Sequence, residues 1–216
     1  MDALDEVDIT AALQSRRARE PDFRLESEGM MLLADELARP EGDVLGALSE
    51  IALRHCRADS AGISILEPDG AEDLFRWHAV RGAWACYEGG GLPRNASPCG
   101  ATIARNAPVL MREPHRVYPR VRDAAPPIHE VLLAPFLILG EPVGTVWVIS
   151  HSAAREFDAE DSRIVTRLAR FASTAFLLRE DTRRAAEARD DVLRVNARLK
   201  RIIESLESAK APASAE

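Results

Sequence analysis

The spacing of hydrophobic residues changes along this chain and divides it into helical and extended parts. From Phe23 to Arg39, Leu25, Leu32, Leu33 and Leu37 recur at helical spacing, and Pro40-Glu41-Gly42 ends the run. Asp43 can cap a second helix, with Val44, Leu48, Ile51, Ala52 and His55 along one face. The period then shortens to two. Ala61 to Leu66 alternates up to the turn signal Pro68-Asp69-Gly70, and Leu74 to Val80 follows as an aromatic strand, so the pair predicts a meander. Pro108 to Met111 begins another strand. Val131 to Leu139 and Pro142 to Ser150 then predict a hairpin across Gly140-Glu141. Both hairpin strands are apolar on both faces, which places them in the middle of a sheet covered on both sides.

The C-terminal third is helical again. Asp158 can cap it, Glu160 and Asp161 sit in its first turn, and Ile164, Leu168, Phe171, Ala172 and Ala175 form a face that docks on the sheet. Beyond this, Leu178, Ala185, Val192, Leu199 and Leu206 fall seven apart, with Ala188, Val195 and Ile202 interleaved. That is an a/d heptad stripe, which predicts a dimeric coiled coil, because a monomer has nothing to bury it. Glu180–Arg184 and Asp190–Arg194 stand at i,i+4 spacing for ion pairs. The pattern therefore predicts an α+β fold: one antiparallel sheet with helices on one face and a long covering segment on the other, extended by a C-terminal coiled-coil helix. Its expected parts are an N-terminal helical segment (1–20), a domain (23–178), a coiled coil (179–207) and a disordered tail (208–216).

Composition narrows the class. The chain has 216 residues, is 46% hydrophobic and 29% charged, and carries a net charge of −7. Those values belong to a globular protein and leave no basic footprint for nucleic acid. The acidic N-terminus lacks the layout of a signal peptide, and the longest apolar run is too short to span a bilayer. Three cysteines without regular spacing argue for a reducing compartment, so a cytoplasmic protein with no membrane partner is the expectation. No phosphate loop, nucleophile elbow or metal-ligating histidine pair is present.

Candidate chemistry concentrates between Gly89 and Glu130. Ser97-Pro98 reads as an N-cap followed by a first-turn proline, which places Cys99 in the positive end of a helix dipole, where a thiol loses its proton more readily. Asn106 can close that helix in a left-handed conformation. Arg112 to Glu130 is rich in Pro, Arg and His without a sustained period, and loops of that length in compact domains carry function. Candidate ligand contacts are Trp77, Arg94, Cys99, His115 and His129. Arg94, Arg112, Arg116, Arg120 and Arg122 form a local basic excess able to meet a carboxylate or phosphate. Cys99 is first a pocket-wall residue, then a redox or ligand contact, then a bilin attachment point. Cys86 lies in the same excursion and can face Cys99. Cys56 reads as buried packing, and Trp77, Trp84 and Trp147 as core rather than a stacking platform.

Phe75-Arg-Trp-His-Ala-Val80, GGGLPRNASPCG, Asn106-Ala-Pro-Val-Leu110, Ile128-His-Glu130, PVGTVWVIS and Phe157-Asp-Ala-Glu-Asp161 occur in the order found in a known family. Over roughly residues 23 to 178 the chain resembles GAF domains of bacterial sensor histidine kinases. The resemblance implies a regulatory module of two-component signal transduction that binds a small ligand or senses redox state. It implies a homodimer formed through terminal helices, with a signalling partner such as a histidine kinase. The ligand stays open, since such domains take cyclic nucleotides, bilins, haem or metabolites, and no cofactor is assigned. It also implies two alternatives: a cysteine-dependent enzyme like the free methionine sulfoxide reductases of this fold, and a ligand-free dimerisation adaptor.

Overall fold

The computed structural model describes residues 3–70 and 72–210. Two compact units divide at Ala175 and Phe176. The first holds a six-stranded antiparallel sheet built from β1 (Ser60–Asp69), β2 (Glu72–Gly82), β3 (Gly91–Pro93), β4 (Val109–Arg112), β5 (Glu130–Ile138) and β6 (Glu141–Ser150), in the order β3-β2-β1-β6-β5-β4. β1 and β6 lie side by side at the centre, as strands with two apolar faces require. On β6, Val146 and Val148 point to one layer and Trp147 and Ile149 to the other, and all four are buried.

Helices α2 (Phe23–Ala38) and α3 (Val44–His55) form the helical layer together with the first part of α5 (Ala159–Lys210). Their starts are set by local hydrogen bonds. Asp22 accepts from the Leu25 N–H and Asp43 from the Gly46 N–H. Asp158 accepts from the N–H groups of Glu160 (2.8 Å) and Asp161 (3.0 Å), and Asp161 returns a bond from the Asp158 N–H (2.9 Å). That reciprocal box fixes where α5 begins. α3 packs on β1 and β2, while α4 (Pro98–Arg105) packs on β5 and β6 from the opposite side.

Several details depart from the pattern in the sequence. The β5–β6 turn is Leu139-Gly140, one residue earlier than expected. Both residues have positive φ (53° and 91°), the conformation that a two-residue hairpin of this twist demands. Gly140 adopts it freely, whereas Leu139 does so at the surface. β3 is an additional strand, pairing Gly91 to Pro93 with Arg76 to Leu74. In β2 the register skips His78, and this bulge sends His78 outward to Glu67 (2.6 Å) and leaves Trp77 facing inward. Gly62 has no side chain because the Trp147 ring lies against it: a Cβ there would come within 2.4 Å of the indole.

Within residues 3–20, where a helical segment is expected, the helices are short, a 3₁₀ turn at Ala3–Glu6 and α1 at Ala12–Ser15. After α1 (Ala12–Ser15), Arg16 and Arg19 tie this stretch to the body, and before it Val7 to Ile9 lie along the edge of β4. The Ile9 N–H donates to the Leu110 carbonyl (2.9 Å) and the Arg112 N–H to that of Val7 (2.8 Å). The strap covers the open edge of the sheet, which exposed backbone would otherwise leave free for pairing. Arg16 then makes a double hydrogen bond to Glu130 (2.7 and 3.0 Å) and a third to the Phe157 carbonyl (2.6 Å). Glu130 is fully buried and also accepts from Arg112 (2.9 Å) and the Phe157 N–H (3.1 Å). Burial acts to raise its carboxyl, but these bonds outweigh burial and hold it below the ordinary glutamate range.

In the second unit, α5 carries the heptad stripe with Val192, Val195, Leu199 and Ile202 about half exposed. Arg194 pairs with Asp191 (2.7 Å) in place of the expected Asp190. The Glu180 and Leu206 side chains and residues 211–216 of the expected disordered tail lie outside the described residues.

Replacing Glu130 with Gln should destabilise the fold by about 3 kcal/mol, because two arginines lose their buried counter-charge. A carboxyl with a depressed folded-state pKa stabilises fully above its unfolded value near 4.3, and this contribution disappears as pH falls through the lower folded value. Denaturant titrations at pH 7 and near pH 3 should therefore show wild type and Glu130→Gln converging in acid. A gap that stays constant would show that the carboxylate charge is not what matters.

Candidate functional site

Between the sheet and the covering segment lies a small apolar cavity of about 30 Å³. Its floor comes from alternate residues of three strands: Trp77 on β2, Val131 and Leu133 on β5, Trp147 and Ile149 on β6. Leu92 on β3 and Pro98 with Cys99 at the start of α4 make one wall. Trp84, Val121 and Ile128 close the roof from irregular backbone. The three tryptophan rings meet pairwise, with centroids 5.9 to 6.5 Å apart, in tilted or edge-on packing.

Cys99 sits where the sequence pattern puts it. Ser97 caps α4 by accepting from the Gly100 N–H (3.1 Å), Pro98 holds the first turn, and Asn106 ends the helix with φ of 49°. Its thiol is buried and lies in a short chain of bonds: the Thr145 hydroxyl donates to Sγ (3.2 Å), and Sγ donates to Ser64 Oγ (3.6 Å), which also accepts from the Trp147 indole N–H (2.9 Å). Burial pushes the Cys99 thiol above its ordinary value, although the bonds to Thr145 and Ser64 pull the other way. The helix terminus is outweighed by loss of solvent. Cys86 faces solvent and so does not face Cys99, and Cys56 is buried, with its thiol pushed well up.

Side chains hold the roof because it has little regular structure. The Trp84 indole N–H donates to the Pro126 carbonyl (2.9 Å), and the Tyr87 hydroxyl accepts from the Ala125 N–H (2.9 Å). His151, just past β6, bridges roof and sheet. Its Nδ1 bonds the Pro127 carbonyl (2.8 Å), and its Nε2 lies 2.8 Å from Ser60 Oγ. A carbonyl only accepts, so Nδ1 donates to it.

Of the residues singled out from sequence, Trp77 and Cys99 line the cavity. Arg94 reaches away from it to Asp73 (3.4 Å) at the β2–β3 edge. His115 is half-buried in the 3₁₀ turn Pro114–Arg116, and its Nδ1 makes no hydrogen bond among the described residues. His129 continues the β5–β6 pairing, its N–H donating to the Ser150 carbonyl (2.9 Å). Neither histidine lines the cavity. Of the other cover arginines, Arg112 pairs with Glu130 and Glu156 and Arg116 with Glu6. Sequence reasoning assigned Trp84 and Trp147 to the core alone and gave His151 no role. The alternation of β6 could have shown Trp147, but nothing local shows that His151 meets a proline carbonyl 24 residues away. Among the described residues, no group of three His, Cys, Asp or Glu is placed to hold a metal ion.

One antiparallel sheet, helices behind it and an apolar cavity roofed by a long irregular segment define a ligand-binding sensory fold. The chain belongs to the GAF domain family, whose model matches residues 38–176, well over half of its length. Among curated proteins nothing matches the chain. Solved structures do. The GAF domain of a phosphoenolpyruvate-protein phosphotransferase from Coxiella burnetii is 16% identical, with a TM-score of 0.61 over 74% of this chain and 96% of that one. The GAF-B domain of DevS from Mycobacterium smegmatis is 23% identical (TM-score 0.52, 65% and 96% covered). A free methionine-R-sulfoxide reductase from Neisseria meningitidis is 18% identical (TM-score 0.57, 78% and 97% covered). At these identities the likeness is one of fold.

Thiol titration of the native protein should therefore show one fast cysteine, Cys86. Cys56 and Cys99 should react slower by at least about 100-fold, since reagent must wait for local opening. A second fast thiol, lost in Cys99→Ser, would mean that the buried setting of Cys99 is wrong.

Proposed function

We propose that this chain is a sensory GAF module that binds a small molecule beneath the cover formed by residues 86–130. It relays occupancy through a dimeric C-terminal helix to a signalling partner such as a histidine kinase. The observation that carries this reading is the continuity from cavity to helix. Ile128 lines the cavity, Glu130 follows it two residues later, and Glu130 is bonded to the Phe157 N–H just before α5 begins. A ligand that moves the roof changes the setting of that carboxylate, and with it the first turn of α5. This is a shift between two arrangements of one bonded network.

Dimerisation through helices is supported by what the helical layer leaves open. A groove of about 490 Å³ lies between α2, α3 and α5, with Met30, Leu33, Leu168 and Phe171 among its lining. Phe23 (68% exposed) and Met31 (66%) add to an apolar surface on α2. Apolar patches of this kind mark contact surfaces, and the heptad stripe of the second unit offers a second one. No helix among the described residues is long and apolar enough to cross a membrane. The cysteine-enzyme alternative is weakened by the raised thiol of Cys99 and the outward-facing Cys86, because nucleophilic sulfur chemistry needs a thiolate.

Leu199→Lys should weaken dimerisation by at least about 100-fold, because it buries an unpaired ammonium in the seam. Light scattering at micromolar concentration should then report a monomer, and an unchanged dimer mass would remove the coiled-coil relay. A native mass spectrum of protein purified from its own host should show an added small mass, and a bare dimer would favour the ligand-free adaptor.

A further inference from the structure

The cavity is built without charge. None of its lining side chains is ionisable at neutral pH, and the polar atoms in and beside its walls are already bonded to one another or to backbone. The Thr145 hydroxyl, the Cys99 thiol and the Trp147 indole N–H form one chain ending on Ser64, and the Trp84 indole N–H is bonded to Pro126. Of the cover arginines, Arg94, Arg112 and Arg116 are each paired with a protein carboxylate, Arg120 and Arg122 on either side of Val121 are exposed, and none of the five lines the cavity. An anion or zwitterion entering here would lose its hydration and meet no counter-charge, a heavy desolvation penalty. A neutral ring would meet three indoles that present faces and edges at angles suited to edge-to-face packing.

Size adds a condition. A cavity of about 30 Å³ is far below the ~150 Å³ in which an apolar protein cavity holds benzene. The floor is made of hydrogen-bonded strands, so the extra room must come from the roof, where Val121 and Ile128 stand on irregular backbone.

We propose that the ligand of this site is an uncharged aromatic molecule of benzene to indole size, admitted by outward movement of the segment that carries Val121 and Ile128. This rests on the sensory reading above and names its ligand class. The test uses the full chain with matched probes: toluene and indole against benzoate and indole-3-acetate, which carry the same rings plus a carboxylate. All three tryptophans of the chain line the cavity, so its intrinsic emission reports this site alone. At ten times their Kd, the neutral probes should raise Tm by roughly 3–6 °C, and toluene should change the emission. The acids should shift Tm by less than about 1 °C at equal concentration. Leu133→Trp, which fills the floor, should abolish the toluene shift. Ile128→Ala, which thins the roof, should enlarge it and serves as the second variant if the first fails to fold.

Acids that stabilise as well as or better than the neutral probes would overturn the proposed class while leaving the pocket reading intact. A toluene shift that persists in Leu133→Trp would overturn the location. If neither series moves Tm or emission, the inference falls, and the native mass spectrum of host-purified protein then decides the wider reading separately.

Discussion

A β-strand with two apolar faces cannot face water on either side, and β6 is such a strand. Val146 and Val148 on one side and Trp147 and Ile149 on the other are all buried, so the sheet needs two covers of different make. Helices α2, α3 and α5 supply one by ordinary apolar packing. The other is the excursion between β2 and β5, of which α4 is the longest regular piece. An irregular cover must find partners for its own backbone polar groups, and here side chains provide several of them. Trp84, Tyr87 and His151 bond the carbonyls or N–H groups of Ala125, Pro126 and Pro127. The roof is therefore held at points, whereas the floor is held by continuous strand pairing.

The same constraint explains the weight placed on Glu130. A carboxylate buried at the first residue of β5 would be costly alone, and the fold surrounds it with Arg16, Arg112 and the Phe157 N–H. Those three donors come from the N-terminal strap, the end of β4 and the approach to α5. Arg19 extends the link, since its guanidinium lies 2.9 Å from Asp161 in the capping box of the helix. Edge cover, roof and helix start thus converge on one small polar region in an otherwise apolar layer. Such networks are unforgiving, because removing one member leaves the others buried without partners.

Much of this was legible in the residues. The hairpin of β5 and β6, the meander of β1 and β2, the Asp caps of α3 and α5, and the Ser97-Pro98 start of α4 follow from alternation and cap chemistry, which act over a few residues. What was not legible depends on distance. β3 is three residues in a glycine-rich stretch with no period, and it is a strand only because Arg76 and its neighbours lie beside it. The strap is sheet-like because β4 has an open edge, a fact about the sheet and not about residues 7–9. Cys99 shows the limit most clearly. Its helix position is local and readable and argues for a reactive thiolate, while its burial is tertiary and reverses that conclusion.

Proteins of this fold with differing functions, such as the Neisseria meningitidis reductase and the Mycobacterium smegmatis DevS domain, share the layers described here at identities too low to carry function across. In this chain the lining is aromatic and uncharged, and the cover's paired arginines are committed to protein carboxylates. Those ion pairs take up Arg94, Arg112 and Arg116, three of the five arginines that sequence alone offers to a carboxylate or phosphate. Arg112 and Arg116 fasten the cover to Glu130, Glu156 and Glu6, and rings and aliphatic groups lie beneath it. The roof is thus fastened by polar bonds at its rim and is apolar on its underside.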